Sequence, residues 1–228
     1  MKKKYWLIIF SIVLLGDIAG IQYQSALLQY IFKPLIVPVI GAYFLFQTRH
    51  ARPGLKKWII TALFFSWMGD VLLMFDTKAE LYFLLGLSAF LVAHLFYIVF
   101  FHTVRVKENI KSNLWFLGIV VIYYMALITL LSPYLGDKKL PVRIYGIVIS
   151  FMFMLALHML FIKHKIAGRW MMMGALLFVV SDSVLAINKF YESFGGAGIL
   201  IILTYGLAQL FIAEGASRYI NMEVSIRQ

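Results

Sequence analysis

Hydrophobic and polar positions along this chain fall into long blocks, not short alternations. Runs such as "NLWFLGIVVIYYMALITLL" are continuous, whereas an outer-membrane barrel would show alternating segments of about ten residues. Blocks long enough to cross a bilayer, roughly 17–25 residues, recur from end to end. They predict eight helices, over approximately 5–21, 26–46, 56–75, 81–103, 113–132, 141–162, 169–190 and 196–214. The expected fold is all-α: a polytopic membrane protein with eight transmembrane helices in one domain over 1–228. Connections between the blocks are short, so any chemistry is expected among the helices.

Composition agrees. Hydrophobic residues make up 63% of the 228 and charged residues only 14%, where a soluble domain carries about a quarter. The sequence has no cysteine, which excludes disulfides and thiolate chemistry. A net charge of +11 raises the question of a nucleic-acid partner, and its placement answers no. Lys2, Lys3 and Lys4 precede the first block; Arg49, Arg52, Lys56 and Lys57 lie between the second and third. Arg105, Lys107 and Lys111 follow the fourth, Lys163, Lys165 and Arg169 the sixth, and Arg218 and Arg227 the last. The alternate connections hold fewer: Lys78, Lys138 and Lys139, with Arg143 and Lys189 at block ends. This positive-inside asymmetry predicts both termini in the cytoplasm. The first block lacks a small-x-small cleavage site before polar sequence, so a retained helix is expected and not a signal peptide. The short loops point to a bacterial inner membrane.

Ionisable groups inside a bilayer are costly and usually face the bundle interior. Here they are Asp17, Lys33, Asp70, His94, His158, Asp182 and Glu214, with Lys189 near an end. Asp70 sits about 21 Å and Asp182 about 20 Å from the inner ends of their helices at 1.5 Å per residue. Lys33 enters from the other side and lies about 10 Å deep by the same rise. In a core about 30 Å thick, all three fall at one level in the outer half. Ser66 shares a helix face with Asp70, and Tyr205 with Gln209, by i,i+4 spacing. Phe90, His94 and Tyr97 form a similar stripe, Ser181 adjoins Asp182, and Asp17 and Tyr145 are placed to rim a common pocket.

An internal echo strengthens the grouping. "ALFFSWMGDVLL" (Ala62 to Leu73) resembles "ALLFVVSDSVLA" (Ala175 to Ala186) with one gap, and "LVAHLFYI" (Leu91 to Ile98) resembles "GLAQLFIA" (Gly206 to Ala213). A 4+4 internal repeat about an axis along the membrane normal would bring Asp70 and Asp182 to one cavity. Simpler roles stand beside these: an aspartate satisfied by Lys33, His158 as a packing residue, Glu214 and Asp17 at the interface, Lys189 snorkelling. The methionines of "WMMMG" read as adaptable packing. No two histidines have i,i+4 spacing beside a carboxylate, so no zinc-hydrolase pattern is present.

In their order, "FKPLIVP" (Phe32 to Pro38), "SWMGDVLL" (Ser66 to Leu73), "LLGLSAFLVAHLFY" (Leu84 to Tyr97), "GALLFVVSDSVLAINKF" (Gly174 to Phe190) and "TYGLAQLFIAEG" (Thr204 to Gly215) carry a family resemblance. Over nearly its whole length the chain is similar to the lysoplasmalogenase, or YhhN-like, family of integral membrane proteins. The resemblance implies hydrolysis of the vinyl ether bond of lysoplasmalogens to a fatty aldehyde and glycerophosphoethanolamine or glycerophosphocholine. It puts the catalytic aspartates at Asp70 and Asp182. The partners it implies are a lysophospholipid substrate and membrane lipids.

The residues suit that chemistry. Vinyl ether cleavage begins with protonation of the β carbon and continues with water attack on the oxocarbenium ion. Two carboxylates in one apolar site can divide the work into acid and base, because burial and mutual repulsion separate their protonation; no cofactor is required. Which aspartate is the acid stays open. Lys33 either favours the second carboxylate as an anion or holds the lipid phosphate. Ser66, His94, Tyr97, Ser181, Tyr205 and Gln209 are the further substrate-binding candidates. A proton-coupled transporter would use the same membrane aspartates. An intramembrane aspartyl protease would need Gly-x-Gly-Asp, and position 67 is Trp. A structural or lipid-sensing role is the third alternative.

Overall fold

A computed structural model describes residues 3–51 and 53–226. Among the described residues the chain is helical without strands: α1 (Lys3–Gln22), α2 (Ala26–Phe32), α3 (Ile36–Gln47), α4 (Pro53–Leu73), α5 (Glu80–Lys107), α6 (Leu114–Leu131), α7 (Lys139–His158), α8 (Lys165–Ala186) and α9 (Ala197–Ile226). Seven segments are long and apolar enough to cross a membrane, with α2 and α3 counted together. The eighth, α4, has 21 residues but carries Lys56, Lys57 and Asp70.

The expected second span is not one continuous helix. A 3₁₀ turn over Lys33–Leu35 separates α2 from α3, because Pro34 has no N–H to close the helical ladder. The indole of Trp67 donates to the Pro34 carbonyl at 3.0 Å and ties this break to α4. Helices α5 and α9 overrun their apolar blocks, to residues 107 and 226, since polar side chains at their ends find partners outside the core. Helix starts are marked by side-chain caps: Asn113 accepts from the Trp115 N–H at 3.0 Å and His164 from the Ala167 N–H at 3.1 Å.

Both ends of the chain lie at the same end of the bundle. Lys3 of α1 pairs with Glu214 of α9, Asn221 donates to the Gln47 carbonyl at 3.1 Å, and Glu108 receives both Tyr219 and the Lys163 N–H. The loops expected to be rich in Lys and Arg therefore gather with the termini, as an even number of crossings requires. Of the residues in that charge pattern, Lys2, Arg52 and Arg227 lie outside the described residues.

The core is aromatic, with Tyr43, Phe44, Tyr97, Phe100, Phe101 and Phe178 fully buried. Helix α6 lies at the outside and buries only Val120 and Leu131. The closest pairs, α4 with α5 and α8 with α9, are the segments that echo each other in sequence. Small residues permit the approach. A Cβ on Gly69 would lie 2.6 Å from the Phe90 ring, and one on Gly174 2.7 Å from the Ile212 nitrogen.

Candidate functional site

A cavity of about 420 Å³ opens toward the end of the bundle opposite the termini. One wall is α1, whose Asp17 and Ile21 share a face by i,i+4 spacing, continued by Gln24 of the turn that follows. The break between α2 and α3 contributes Lys33, α4 contributes Asp70, and α8 contributes Ser181 and Asp182. Tyr205 enters from α9. Separate parts of the chain thus bring three carboxylates and one ammonium to a single enclosure.

Each of the two central aspartates is held by a tyrosine from another helix. The Tyr205 hydroxyl donates to Asp70 Oδ2 at 2.8 Å, and the Tyr145 hydroxyl of α7 donates to Asp182 Oδ2. Such charge-assisted bonds fix the carboxylate planes and satisfy part of their acceptor capacity. Asp17 is different. It is fully buried, and neither of its oxygens has a hydrogen-bond partner among the described residues. Lys33 forms no direct ion pair among the described residues but stands close enough to act electrostatically on both Asp17 and Asp70, while Asp182 acts on Asp70. Asp17 and Lys33 come from neighbouring elements, since α1 packs on α2 and on the turn at Lys33, whereas Asp182 comes from α8.

The floor is built of rings. Phe90, Phe178 and Tyr205 meet edge to face, with centroids 5.5–6.4 Å apart. Gly69, beside Asp70, leaves room for the Phe90 ring. Below this floor, one helical turn farther from the mouth, lie four of the residues singled out from sequence. His94 packs against Phe178 at 4.6 Å, Tyr97 donates to Gln209 Oε1 at 2.5 Å, and Ser66 is fully buried. None of these four lines the cavity. Asp70, Asp182, Lys33, Ser181 and Tyr205 do, although the Ser181 hydroxyl is committed to the Ile201 carbonyl at 3.0 Å.

Sequence reading placed Asp17 and Tyr145 at the rim and took Asp17 as interfacial; the structure instead sinks Asp17 in the wall and gives Tyr145 the Asp182 contact. No spacing rule links Tyr145 to Asp182, because the pairing is between helices. Two apolar crevices of about 40 Å³ each also end at Asp182. One is walled by Phe83, Leu87 and Phe190, the other by Tyr124, Leu127 and Leu131.

The remaining charged groups have structural partners. His158 accepts the Asn113 N–H at Nε2 (3.1 Å) and faces the Met154 carbonyl through Nδ1 (2.8 Å), which ties α6 to α7. Lys189 reaches Asp76 at 2.7 Å. Glu214 is buried in the protein and binds Lys3, Tyr43 and Arg218. Among the described residues no group of three His, Asp or Glu side chains is arranged to hold a metal ion. What the cavity offers is a pair of oriented carboxylates in a low-dielectric enclosure, one beside a cation and the other beside apolar crevices. That is the equipment for moving a proton to and from a bound molecule.

The chain is also similar to known proteins. The chain is 32% identical over 173 residues to "Lysoplasmalogenase TMEM86A" of Homo sapiens, covering 73% of this chain and 67% of that one. It is 30% identical over 175 residues to "Lysoplasmalogenase TMEM86B" of Rattus norvegicus, covering 76% and 68%. It is also 27% identical over 193 residues to "Lysoplasmalogenase" of Mycobacterium bovis, covering 83% and 70%. No solved structure matches the chain. A family profile described as the YhhN family matches residues 28–216, which include Lys33, Asp70 and Asp182, and the chain belongs to that family.

Proposed function

We propose that this integral membrane protein is a lysoplasmalogenase-like hydrolase that cleaves the vinyl ether bond of lysoplasmalogens by carboxylate acid–base catalysis. The observation that carries the reading is the pair Asp70 and Asp182, brought from two helices to one cavity and each oriented by a tyrosine hydroxyl. The names of relatives from bacteria and mammals support the same reaction class.

Asp182 is the proposed acid. Its hydrogen-bond partner is the Tyr145 hydroxyl, and the Lys189 that shares one crevice with it is paired to Asp76. The crevices of about 40 Å³ beside it leave room for the first carbons of an alkenyl chain. Asp182 gives its proton to the β carbon of the vinyl ether, leaving an oxocarbenium ion at the α carbon. Asp70, with Lys33 in electrostatic reach, is the proposed anion that stabilises this cation and takes a proton from the attacking water. The hemiacetal then collapses: Asp70 passes its proton to the glycerol oxygen as the C–O bond breaks, and Asp182 takes the hemiacetal hydroxyl proton as the aldehyde forms, which restores both groups. One water is consumed and no net proton is released. A positioned acid or base of this kind contributes about 10²–10⁴-fold in rate.

The test is direct. Asp70→Asn and Asp182→Asn should each lower aldehyde release from lysoplasmalogen by at least a hundredfold, roughly the contribution of one such group, with unchanged elution and thermal unfolding in detergent. Near-full activity in either variant removes that residue from the reaction.

A carrier remains the second reading because the α2–α3 crossing is discontinuous at Lys33, beside the cavity, as in many transporters. Solute uptake into proteoliposomes without lipid turnover would favour it.

A further inference from the structure

We propose that Asp17 and Lys33 form a headgroup subsite for a zwitterionic lysolipid, with Lys33 taking the phosphate and Asp17 the ammonium. The subsite selects lipids whose headgroup ends in a cation. This rests on the lysolipid reading of the cavity and adds to it the basis of headgroup choice.

Asp17 carries the inference. An unpaired carboxylate buried in a protein is among the most costly single groups a fold can hold. The other buried carboxylates each have at least one donor: Glu214 has three, and Asp70 and Asp182 have a tyrosine each. Asp17 is fully buried and has none among the described residues. It lies on the α1 face that lines the cavity, one helical turn below Ile21. A group kept there without a protein partner is suited to a cationic partner brought by a ligand. Asp17 also precedes residue 28, where the family match begins.

The layout of the cavity fits one lipid orientation. Asp17 and Lys33 line the cavity from α1 and the α2–α3 turn, which pack on each other, and the small crevices adjoin Asp182 but neither of these two. An alkenyl chain leaving the cavity on the Asp182 side would put the ether bond near the two catalytic candidates and carry glycerol and headgroup toward α1. With Asp182 protonated as the acid, Asp17 and Asp70 still outnumber the one ammonium, which disfavours a purely anionic headgroup. A phosphate followed by an ammonium meets Lys33 and then Asp17.

The experiment uses the purified full-length chain in detergent and two non-cleavable 1-O-alkyl lysolipids of equal chain length. One ends in phosphoethanolamine and the other in phosphate alone. The wild-type protein should bind the ethanolamine lipid at least tenfold more tightly. Asp17→Asn should erase that preference, weakening only the ethanolamine lipid by about ten- to a hundredfold, the scale of a lost charge-assisted hydrogen bond. Lys33→Gln should weaken both lipids, and Asp17→Glu should keep the preference. Equal binding of the two lipids by the wild type overturns the proposal. So does an equal loss for both in a folded Asp17→Asn protein. If Asp17→Asn fails to fold, the wild-type preference and its retention in Asp17→Glu decide. Because these lipids cannot be cleaved, a headgroup preference without any aldehyde release from lysoplasmalogen would defeat the hydrolase reading and leave the subsite standing. Aldehyde release without a preference would do the reverse.

Discussion

Two buried clusters of charge sit at opposite ends of this bundle, and they are built on different principles. Near the termini, Glu214 accepts from Lys3, from Tyr43 and from Arg218, the last at 2.5 Å. Donors surround it, so the cluster is closed and fastens α1, α3 and α9 together. At the other end, Asp17, Asp70 and Asp182 share one Lys33, which pairs directly with none of them among the described residues. The first cluster spends its charges on the fold. The second keeps acceptor capacity open toward a cavity. An incomplete set of partners, more than the mere presence of buried charge, is what separates a site from a strut.

The contrast can be broken from either side. The largest effect is expected at the open cluster: Tyr145→Phe should cut aldehyde release by roughly ten- to a hundredfold, since a hydrogen bond to the carboxylate that Asp182 becomes as it gives up its proton is worth about 1.5–3 kcal/mol. Its thermal midpoint in detergent should hardly move. A midpoint that falls as steeply as the activity would make Tyr145 structural. At the closed cluster the outcome inverts. Glu214→Gln should cost about 1–3 kcal/mol by leaving the buried Tyr43 hydroxyl and two cations poorly served, read as a lower unfolding midpoint. Activity per folded molecule should stay at the wild-type level; selective loss of turnover would join the two clusters functionally. Smallest is Lys3→Ala. Its side chain is 39% exposed, so the pair should contribute no more than about 1 kcal/mol, and less in high salt.

Much of this was legible in the chain. Block lengths marked the crossings, and the depths of Lys33, Asp70 and Asp182 brought the central groups to one level before any helix was packed. The stripes read less well for a geometric reason. Residues spaced i,i+4 share a helix face, yet they differ by about 6 Å along its axis at 1.5 Å per residue. Ser66, His94 and Gln209 share faces with Asp70, Phe90 and Tyr205, but each lies one turn farther in, beneath the ring floor. Periodicity identifies the face and says nothing of where a cavity stops. Tyr145 was beyond reach for another reason: its contact with Asp182 depends on how α7 is rotated against α8. The signal for Asp17 was present, a lone carboxylate in an apolar helix. Its closeness to the helix end suggested the interface, and only the packing of α2 and Lys33 across it put it inside.

The floor of Phe90, Phe178 and Tyr205 also gives the enclosure a direction. A pouch sealed beneath its carboxylates admits water from one end of the bundle alone. Under the proposed hydrolysis, the polar product would have to leave by that same mouth, while a long-chain aldehyde could pass sideways into the bilayer. The ring floor would then sort the two products by compartment.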